Sequence, residues 1–151
     1  MAFTALAIFI FDHGNPLYRP YRVGIGGKQF RILKFRSMIV GADKSQVDTT
    51  VDGDQRITYI GHYIRKYKID ELPQFFNVLL GQISLVGPRP NVIREVNLYT
   101  NVEKEILSIK PGITDYSSIV FSDLGTLLVN SQNPNIDYNQ LIRPKKSELA
   151  L

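Results

Sequence analysis

The sequence contains no cysteine among its 151 residues. This absence excludes thiol catalysis, disulfide cross-links and zinc sites built on thiolates, and it suits a reducing compartment. The chain also lacks internal repeats, low-complexity stretches and any linker that would divide it. We therefore expect a single domain that depends on a hydrophobic core for its stability.

A second absence is an apolar run long enough to cross a bilayer. Residues 1–11 are apolar except for one threonine, whereas a membrane span needs about 20 such residues. No basic segment precedes the run and Asp12 follows it, which is not the pattern of a cleaved signal peptide. Two interpretations remain open: a helix buried in the core, or a segment that enters or lies on a membrane.

Several familiar ligand-binding motifs are missing as well. The glycine-rich segment 24–28 resembles a phosphate loop, but Arg22 and Gln29 stand where that motif requires glycine and Ser or Thr. His13 and His62 lack metal-ligand spacing, and no nucleophile elbow is present. The net charge of +4 favours anionic partners, but no signature of a nucleic-acid-binding module accompanies it.

The composition is that of a globular chain, with 44% hydrophobic and 21% charged residues. Segments 15–23 and 29–38 flank the glycine-rich segment and predict two strands of a β-hairpin. Because side chains alternate along a strand, Lys34 and Arg36 are predicted to share one face.

Two helices are predicted after a polar loop at 41–53. Apolar residues recur at helical spacing over 60–68, and the other face of that helix carries basic residues. The next helix is predicted over 70–81, with Asp70 as its N-cap and Gly81 at its C-terminal end. Its apolar residues are Leu72, Phe75, Phe76 and Leu79. A further helix is predicted over 91–109, ending at Pro111-Gly112.

The adjacent carboxylates Asp70 and Glu71 are the leading candidates for chemistry. At a helix N-terminus the free N–H groups and the helix dipole favour an ionised carboxylate, as a nucleophilic aspartate requires. Glu71 could hold a divalent cation that bridges phosphate oxygens. The alternative is that Asp70 only caps the helix.

Arg89 lies between Pro88 and Pro90, so its backbone is expected to be extended and stiff. That rigidity suits bidentate recognition of a phosphate, although a solvated arginine in a turn is an equal alternative. Lys34, Arg36 and Arg65 could complete a cationic cradle. For each of these three, the alternative is an ordinary solvated surface charge.

Taken together, the sequence resembles the bacterial sugar transferase family, the monotopic phosphoglycosyl transferases that start glycan assembly on undecaprenyl phosphate. The resemblance extends from about residue 15 to residue 114, in the family's order. The first matching segments are 21–24, 27–28 and Lys-Phe-Arg-Ser-Met at 34–38. They are followed by Asp-Gln-Arg-Ile-Thr at 54–58, Gly61, 64–66 and Ile-Asp-Glu-Leu-Pro-Gln at 69–74, which continues to 79. The last are 84–86, Gly-Pro-Arg-Pro at 87–90 and Lys-Pro-Gly-Ile-Thr at 110–114.

The resemblance implies a reaction and a role for each candidate residue. Asp70 would attack the sugar-bearing phosphorus of a UDP-sugar and release UMP, and a polyprenyl phosphate would then take the sugar phosphate. Such products initiate exopolysaccharide, capsule, O-antigen or glycoprotein glycan synthesis. Glu71 would be the second catalytic carboxylate and would engage Mg²⁺. Substrate binding would fall to Lys34, Arg36, Arg65 and Arg89.

The resemblance also implies an architecture and a location. We expect an α+β fold, a helix-rich single domain with a small β-hairpin and an N-terminal partial re-entrant membrane helix. Residues 1–14 would be the remnant of that helix, 15–129 the catalytic core and 130–151 a polar C-terminal tail. The first half of the re-entrant helix and the family's usual C-terminal segment are not found in this sequence. The membrane surface would be the cytoplasmic face of the bacterial inner membrane.

Three hypotheses follow, and they differ in what they predict. The leading one is a magnesium-dependent transferase that releases UMP. The second is a catalytically inactive, membrane-associated fragment that only binds nucleotide or lipid phosphate. The third, a nucleic-acid-binding domain, rests on net charge alone and would require a steeply salt-dependent gel shift. The sequence does not specify the sugar, the glycan pathway or the oligomeric state.

Overall fold

The computed structural model describes residues 1–45, 50–122 and 127–150, and within them short helices alternate with short strands. The α-helices are α1 (Ala2–Phe11), α2 (Tyr59–Lys66), α3 (Gln74–Leu79), α4 (Ile93–Val96), α5 (Tyr116–Val120), α6 (Pro134–Asp137) and α7 (Arg143–Ala150). The strands are β1 (Leu17–Tyr18), β2 (Tyr21–Val23), β3 (Gln29–Arg31), β4 (Lys34–Phe35), β5 (Ser84–Val86) and β6 (Gly112–Thr114). This mixture confirms the α+β class.

The predicted β-hairpin is confirmed, although each arm is interrupted. β2 pairs with β3 antiparallel, with Arg22 opposite Phe30, and β1 pairs with β4 in the same sense. Pro20 separates β1 from β2, since proline cannot donate a backbone hydrogen bond. The turn is a 3₁₀ segment, Ile25–Gly27, in which Gly26 and Gly27 have φ values of 64° and 76° that favour glycine.

The apolar N-terminal run forms α1, a helix of ten residues. Its Ile8 is buried against Phe35 and Ile64, whereas Phe3, Phe9 and other large side chains of α1 are exposed. Throughout the described ranges, no helix has both the length and the apolar content needed to cross a bilayer. The re-entrant membrane helix therefore stays a prediction.

Helix α2 follows the predicted periodicity closely. Thr58 is its N-cap, and the Thr58 hydroxyl accepts a hydrogen bond from the Gly61 N–H at 2.9 Å. The same hydroxyl donates to Asp12 at 2.6 Å, which ties the start of α2 to the end of α1. Ile64 faces the core, and the basic residues of the last turn lie outside it.

The helix predicted over 70–81 begins later in the structure than the sequence predicted. Lys68 has a left-handed backbone (φ 56°), so a 3₁₀ turn already begins at Ile69–Glu71, and α3 starts only after Pro73. Asp70 is therefore not a helix cap: the Leu72 N–H bonds to the Ile69 carbonyl, and Pro73 has no N–H to offer.

The apolar side of α3 is also the exposed one. Phe75 and Phe76 are about half exposed and Leu79 is 81% exposed, whereas Gln74 and Asn77 are almost completely buried. Asn77 accepts a hydrogen bond from the Leu33 N–H at 2.8 Å and donates to the Arg31 carbonyl at 2.9 Å. The buried amide thus replaces ladder hydrogen bonds where the hairpin arm is interrupted.

The single helix predicted over 91–109 is wrong. The structure has α4 and then a separate 3₁₀ segment, Glu103–Ser108. Thr100 and Glu103 form a reciprocal capping box, with the Thr100 N–H donating to the Glu103 carboxylate and the Glu103 N–H donating to the Thr100 hydroxyl. That pair starts a new turn and breaks the helix.

The C-terminal part of the chain returns to the body of the protein. A π-helical turn, Tyr138–Ile142, joins α6 to α7, so residues 134–150 are continuously helical rather than only a polar tail. Helix α7 packs against α5 and against the 3₁₀ segment Glu103–Ser108. Nearby, β5 and β6 pair in parallel, and Gly87 and Gly112 approach too closely for a Cβ atom.

Candidate active site

The residues singled out from sequence converge on one cleft of about 770 Å³. Its lining comes from β4, α2, the segment around residue 89 and the C-terminal helices. Five of the six predicted site residues line it: Lys34, Arg36, Arg65, Asp70 and Arg89. The sixth, Glu71, bonds to two of these side chains. A cleft of this size is adequate for a small-molecule substrate.

Asp70 is buried, with 6% of its surface exposed. Within the described residues its Oδ1 atom has no hydrogen-bond partner. Burial raises the pKa of Asp70, and the positive charge of Lys34 opposes that rise. This differs from the expectation of a carboxylate stabilised by a helix N-terminus, because Asp70 does not occupy that position. The result is a poorly solvated carboxyl group in the lining of the cleft.

Glu71, in contrast, is held by two cations. Its Oε1 atom accepts a hydrogen bond from Lys34 Nζ at 2.9 Å and another from Arg89 Nη2. Burial raises the pKa of Glu71, but Arg89 and Lys34 outweigh burial and lower it to about 2. The two adjacent carboxylates therefore differ: Glu71 is firmly ionised, and Asp70 is destabilised as an anion.

The same surroundings also shift the pKa of Lys34. Burial and the charge of Arg89 lower the pKa of Lys34 to about 8, against the opposing effect of Glu71. Its ammonium group is thus only moderately basic, and it lies between a carboxylate partner and an arginine. Arg89 keeps 41% of its side chain exposed, so its guanidinium reaches the cleft while it is bound to Glu71.

Arg36 and Arg65 line the cleft but bond to other parts of the protein. Arg36 donates to the backbone carbonyls of Asp12 and His13 at 3.1 and 3.0 Å, where α1 ends. Arg65 makes a long contact of 3.5 Å with the Ser37 hydroxyl. Both side chains have other donors for an incoming anion. Their role in substrate binding stays a prediction.

The cleft is strongly basic. Among the described residues, nine lysines and arginines line it, against four acidic residues. Sequence reasoning missed five of these cations: Arg22, Arg56, Lys66, Lys68 and Lys146. Arg22, Arg56 and Lys66 lie in segments that the sequence analysis matched. Lys68 and Lys146 lie outside those segments. Excess positive charge in a concave site concentrates phosphate-bearing ligands.

The site also fits a magnesium ion whose coordination a substrate would complete. In the part of the chain that the structure describes, no group of three or more His, Cys, Asp or Glu side chains lies together. Mg²⁺, however, is commonly bound by one or two carboxylates together with substrate phosphates and water. Glu71 is ionised and can supply one such carboxylate.

Comparison with known proteins gives a consistent result. The family model for bacterial sugar transferase matches residues 1–140. The chain is 39% identical over 143 residues to the galactosyl transferase CpsE of Streptococcus agalactiae serotype III (strain NEM316), covering 87% of this chain and 30% of the relative.

Two further relatives carry names that state their substrates. One is a UDP-N-acetylgalactosamine-undecaprenyl-phosphate N-acetylgalactosaminephosphotransferase of Aeromonas hydrophila, 41% identical over 127 residues, with 80% of this chain and 29% of the relative covered. The other is a UDP-glucose:undecaprenyl-phosphate glucose-1-phosphate transferase of Caulobacter vibrioides (strain ATCC 19089 / CIP 103742 / CB 15), 40% identical over 119 residues, with coverages of 77% and 45%. The chain thus spans less than half the length of each of these three relatives.

Proposed function

Because the chain belongs to the bacterial sugar transferase family, we propose that it transfers a sugar 1-phosphate from a UDP-sugar to a polyprenyl phosphate. The observation that carries the proposal is Asp70, a buried carboxylate with an unpartnered oxygen in a basic cleft. The relatives' names add the substrate classes, UDP-sugar and undecaprenyl phosphate.

The proposed reaction has two phosphoryl transfers. In the first, a carboxylate oxygen of Asp70 attacks the phosphorus that bears the sugar, and the bond from that phosphorus to the bridging oxygen breaks. UMP leaves with the bonding electron pair. In the second, an oxygen of the polyprenyl phosphate attacks the same phosphorus, and the Asp70 carboxylate is released. Such a covalent route divides one difficult step into two easier ones.

The surroundings of Asp70 support this role. Within the described residues, Oδ1 of Asp70 accepts no hydrogen bond, so no neighbouring donor holds this oxygen. Lys34 opposes the effect of burial on the pKa of Asp70, which favours the ionised nucleophile. The other cations of the cleft would bind the diphosphate and neutralise charge as the leaving group departs.

Glu71 has a different task in the proposal. Its bonds to Lys34 and Arg89 hold both cations beside the nucleophile. Glu71 would also hold Mg²⁺, which when bound supplies charge neutralisation on phosphate oxygens. Since the pKa of Glu71 is about 2, this carboxylate is ionised and able to bind a cation at neutral pH.

We place the protein at the cytoplasmic face of the bacterial inner membrane. Large apolar side chains are exposed on α1, including Phe3 and Phe11, and on α3, including Phe75 and Leu79. Short helices with an exposed apolar face bind in the plane of a membrane interface. A lipid-linked acceptor would meet the cleft there without leaving the bilayer.

The test is nucleotide release from UDP-sugars and Mg²⁺ in the absence of a lipid acceptor. We expect at most one UMP per chain, with the sugar phosphate retained on the protein and detectable by intact mass. Asp70→Asn should abolish both. Asp43→Asn is the matched control, because Asp43 is an exposed acid lining the same cleft.

Two other outcomes would contradict the proposal. Release of UDP rather than UMP would indicate ordinary glycosyl transfer, with no role for a nucleophilic Asp70. Binding of UDP-sugar without any release, across a panel of sugars, would favour the inactive fragment that binds only phosphate ligands.

A further inference from the structure

Lys146 is a cation of the cleft that lies outside the segments matched to the family and has no individual role in the reaction above. Lys146 is part of α7 and is partly buried in the cleft lining. Within the described residues its ammonium group makes no hydrogen bond or ion pair. Lys146 Nζ lies over the ring of Phe121, 6.0 Å from the ring centroid.

The position of Lys146 is fixed by its neighbours on α7. The Ser147 hydroxyl donates to the Glu103 carboxylate at 3.0 Å, and Arg143 pairs with the other oxygen of that carboxylate at 3.5 Å. Arg143 also donates to the Leu98 carbonyl at 2.9 Å. Residues four apart lie on the same side of a helix, so Arg143 and Ser147 anchor one side of α7.

Lys146 precedes Ser147, and one residue turns a helix by about 100°. The lysine is thus set about 100° around α7 from Ser147, and it lines the cleft. Burial, and then the charge of Arg89, lower the pKa of Lys146. The carboxylates of Asp115 and Glu95 oppose that decrease. A partly buried cation beside Arg89 is stabilised when an anion binds in the cleft.

We propose that Lys146 binds a substrate phosphate in the cleft, together with Arg89. This inference rests on the proposed function and extends it to the C-terminal helix. The phosphate has two possible sources, the nucleotide sugar and the polyprenyl phosphate, which share the same chemistry. Lys146 is a substrate-binding residue in this proposal, and the Glu103 contacts position it.

The experiment measures equilibrium binding of two probes to the full chain in detergent micelles: UDP, and farnesyl phosphate. The variant is Lys146→Met, which keeps an aliphatic stem against Phe121 and removes only the charge. Lys146→Arg is the rescue variant. Lys145→Met is the matched control, because Lys145 is exposed and does not line the cleft. Thermal unfolding of each variant checks that the fold is kept.

We expect Lys146→Met to weaken binding of at least one probe roughly tenfold, as loss of a charge-assisted hydrogen bond would. Lys146→Arg should restore most of the affinity, and Lys145→Met should bind like the wild type. A loss confined to UDP assigns the phosphate to the nucleotide, and a loss confined to farnesyl phosphate assigns it to the acceptor.

Two results would overturn the inference, and they are distinguishable. If the wild type binds both probes and Lys146→Met binds them equally well, the role of Lys146 is wrong while the proposed function stands. If the wild type binds neither probe, the proposed function itself fails and the inference fails with it.

Discussion

Helices α2 and α3 are neighbours in the chain, yet they bury opposite kinds of side chain. Helix α2 turns Ile64 into the core and leaves Lys66 outside. Helix α3 buries Gln74 and Asn77 and leaves Phe75 exposed. Both sequences are amphipathic, so periodicity alone shows that two faces exist and does not show which one is buried.

The difference comes from what each helix packs against. Helix α2 meets the apolar side chains of Ile8 and Phe35, which only an apolar face can match. Helix α3 meets unpaired backbone groups of the interrupted hairpin at Arg31 and Leu33, and the Asn77 amide satisfies them. Buried backbone polar groups require a partner, so a polar face is the stable choice there.

The largest expected effect comes from removing the polar contact of α3. Asn77→Leu keeps a similar volume but removes the partner of the Leu33 N–H and of the Arg31 carbonyl, both in part-buried hydrogen bonds, and of the Gln82 side chain. We expect a loss of about 4 kcal/mol in the free energy of unfolding, measured by urea denaturation. Asn130→Leu, at an exposed turn position, should have little effect. A stable Asn77→Leu protein would mean that the polar face of α3 is not required.

The corresponding change in α2 removes an apolar contact. Ile64→Ala leaves a cavity beside Ile8 and Phe35 and should cost about 3 kcal/mol in the same urea experiment. Lys66→Ala, on the exposed face of α2, should change the free energy of unfolding by less than about 0.5 kcal/mol. If Ile64→Ala and Lys66→Ala changed the free energy of unfolding equally, α2 would not have one buried face.

A smaller effect is expected at the junction of the two helices, where Glu71 lies. Its pKa in the folded protein is about 2, below the ordinary value of 4.5. The stabilisation that Glu71 provides is therefore fully present above pH 4.5 and is lost as the pH falls toward 2.

Glu71→Gln should consequently lower the Tm at pH 7, and the difference from wild type should shrink between pH 4.5 and pH 2.5. Glu105→Gln, an exposed glutamate, is the control for a general effect of charge. A Tm difference that stays constant across this range would show that the carboxylate of Glu71 is not stabilised by Lys34 and Arg89.

The smallest change in stability is expected on the exposed face of α3. Phe75→Ser should alter the free energy of unfolding by less than about 0.5 kcal/mol in dilute buffer, because the ring is half exposed. It should nevertheless weaken binding to phospholipid vesicles in a sedimentation assay. Ile136→Ser removes an equally exposed apolar side chain from α6 and should leave vesicle binding unchanged. Identical vesicle binding by both variants would argue against α3 as a membrane-facing surface.

Much of the site could be predicted because its residues lie in short, rigid motifs. The proline-flanked Arg89 and the adjacent carboxylates Asp70 and Glu71 need little information from elsewhere in the chain. Helix α2 was predicted within two residues of its observed ends, since its cap and its periodicity are local.

The rest depended on contacts between distant residues. Asp70 was expected to cap a helix, and the left-handed backbone at Lys68 displaced that cap. The polar face of α3 depends on hairpin groups 44 residues away, and no local pattern shows that. The Thr100–Glu103 capping box was a local signal that could have divided the predicted 91–109 helix and was overlooked.

The contact between Ser147 and Glu103 also bears on the order in which parts of the chain fold. It joins residues 44 positions apart, so docking of α7 closes a long loop, at an entropic cost that grows with the length of the loop. During synthesis, Asp70 and Arg89 emerge well before Lys146, because a chain grows from its N-terminus. A nascent chain would hold its two carboxylates in place while one side of the cleft is still missing. Completion of α7 would then add Lys146 to the cations that already line the cleft.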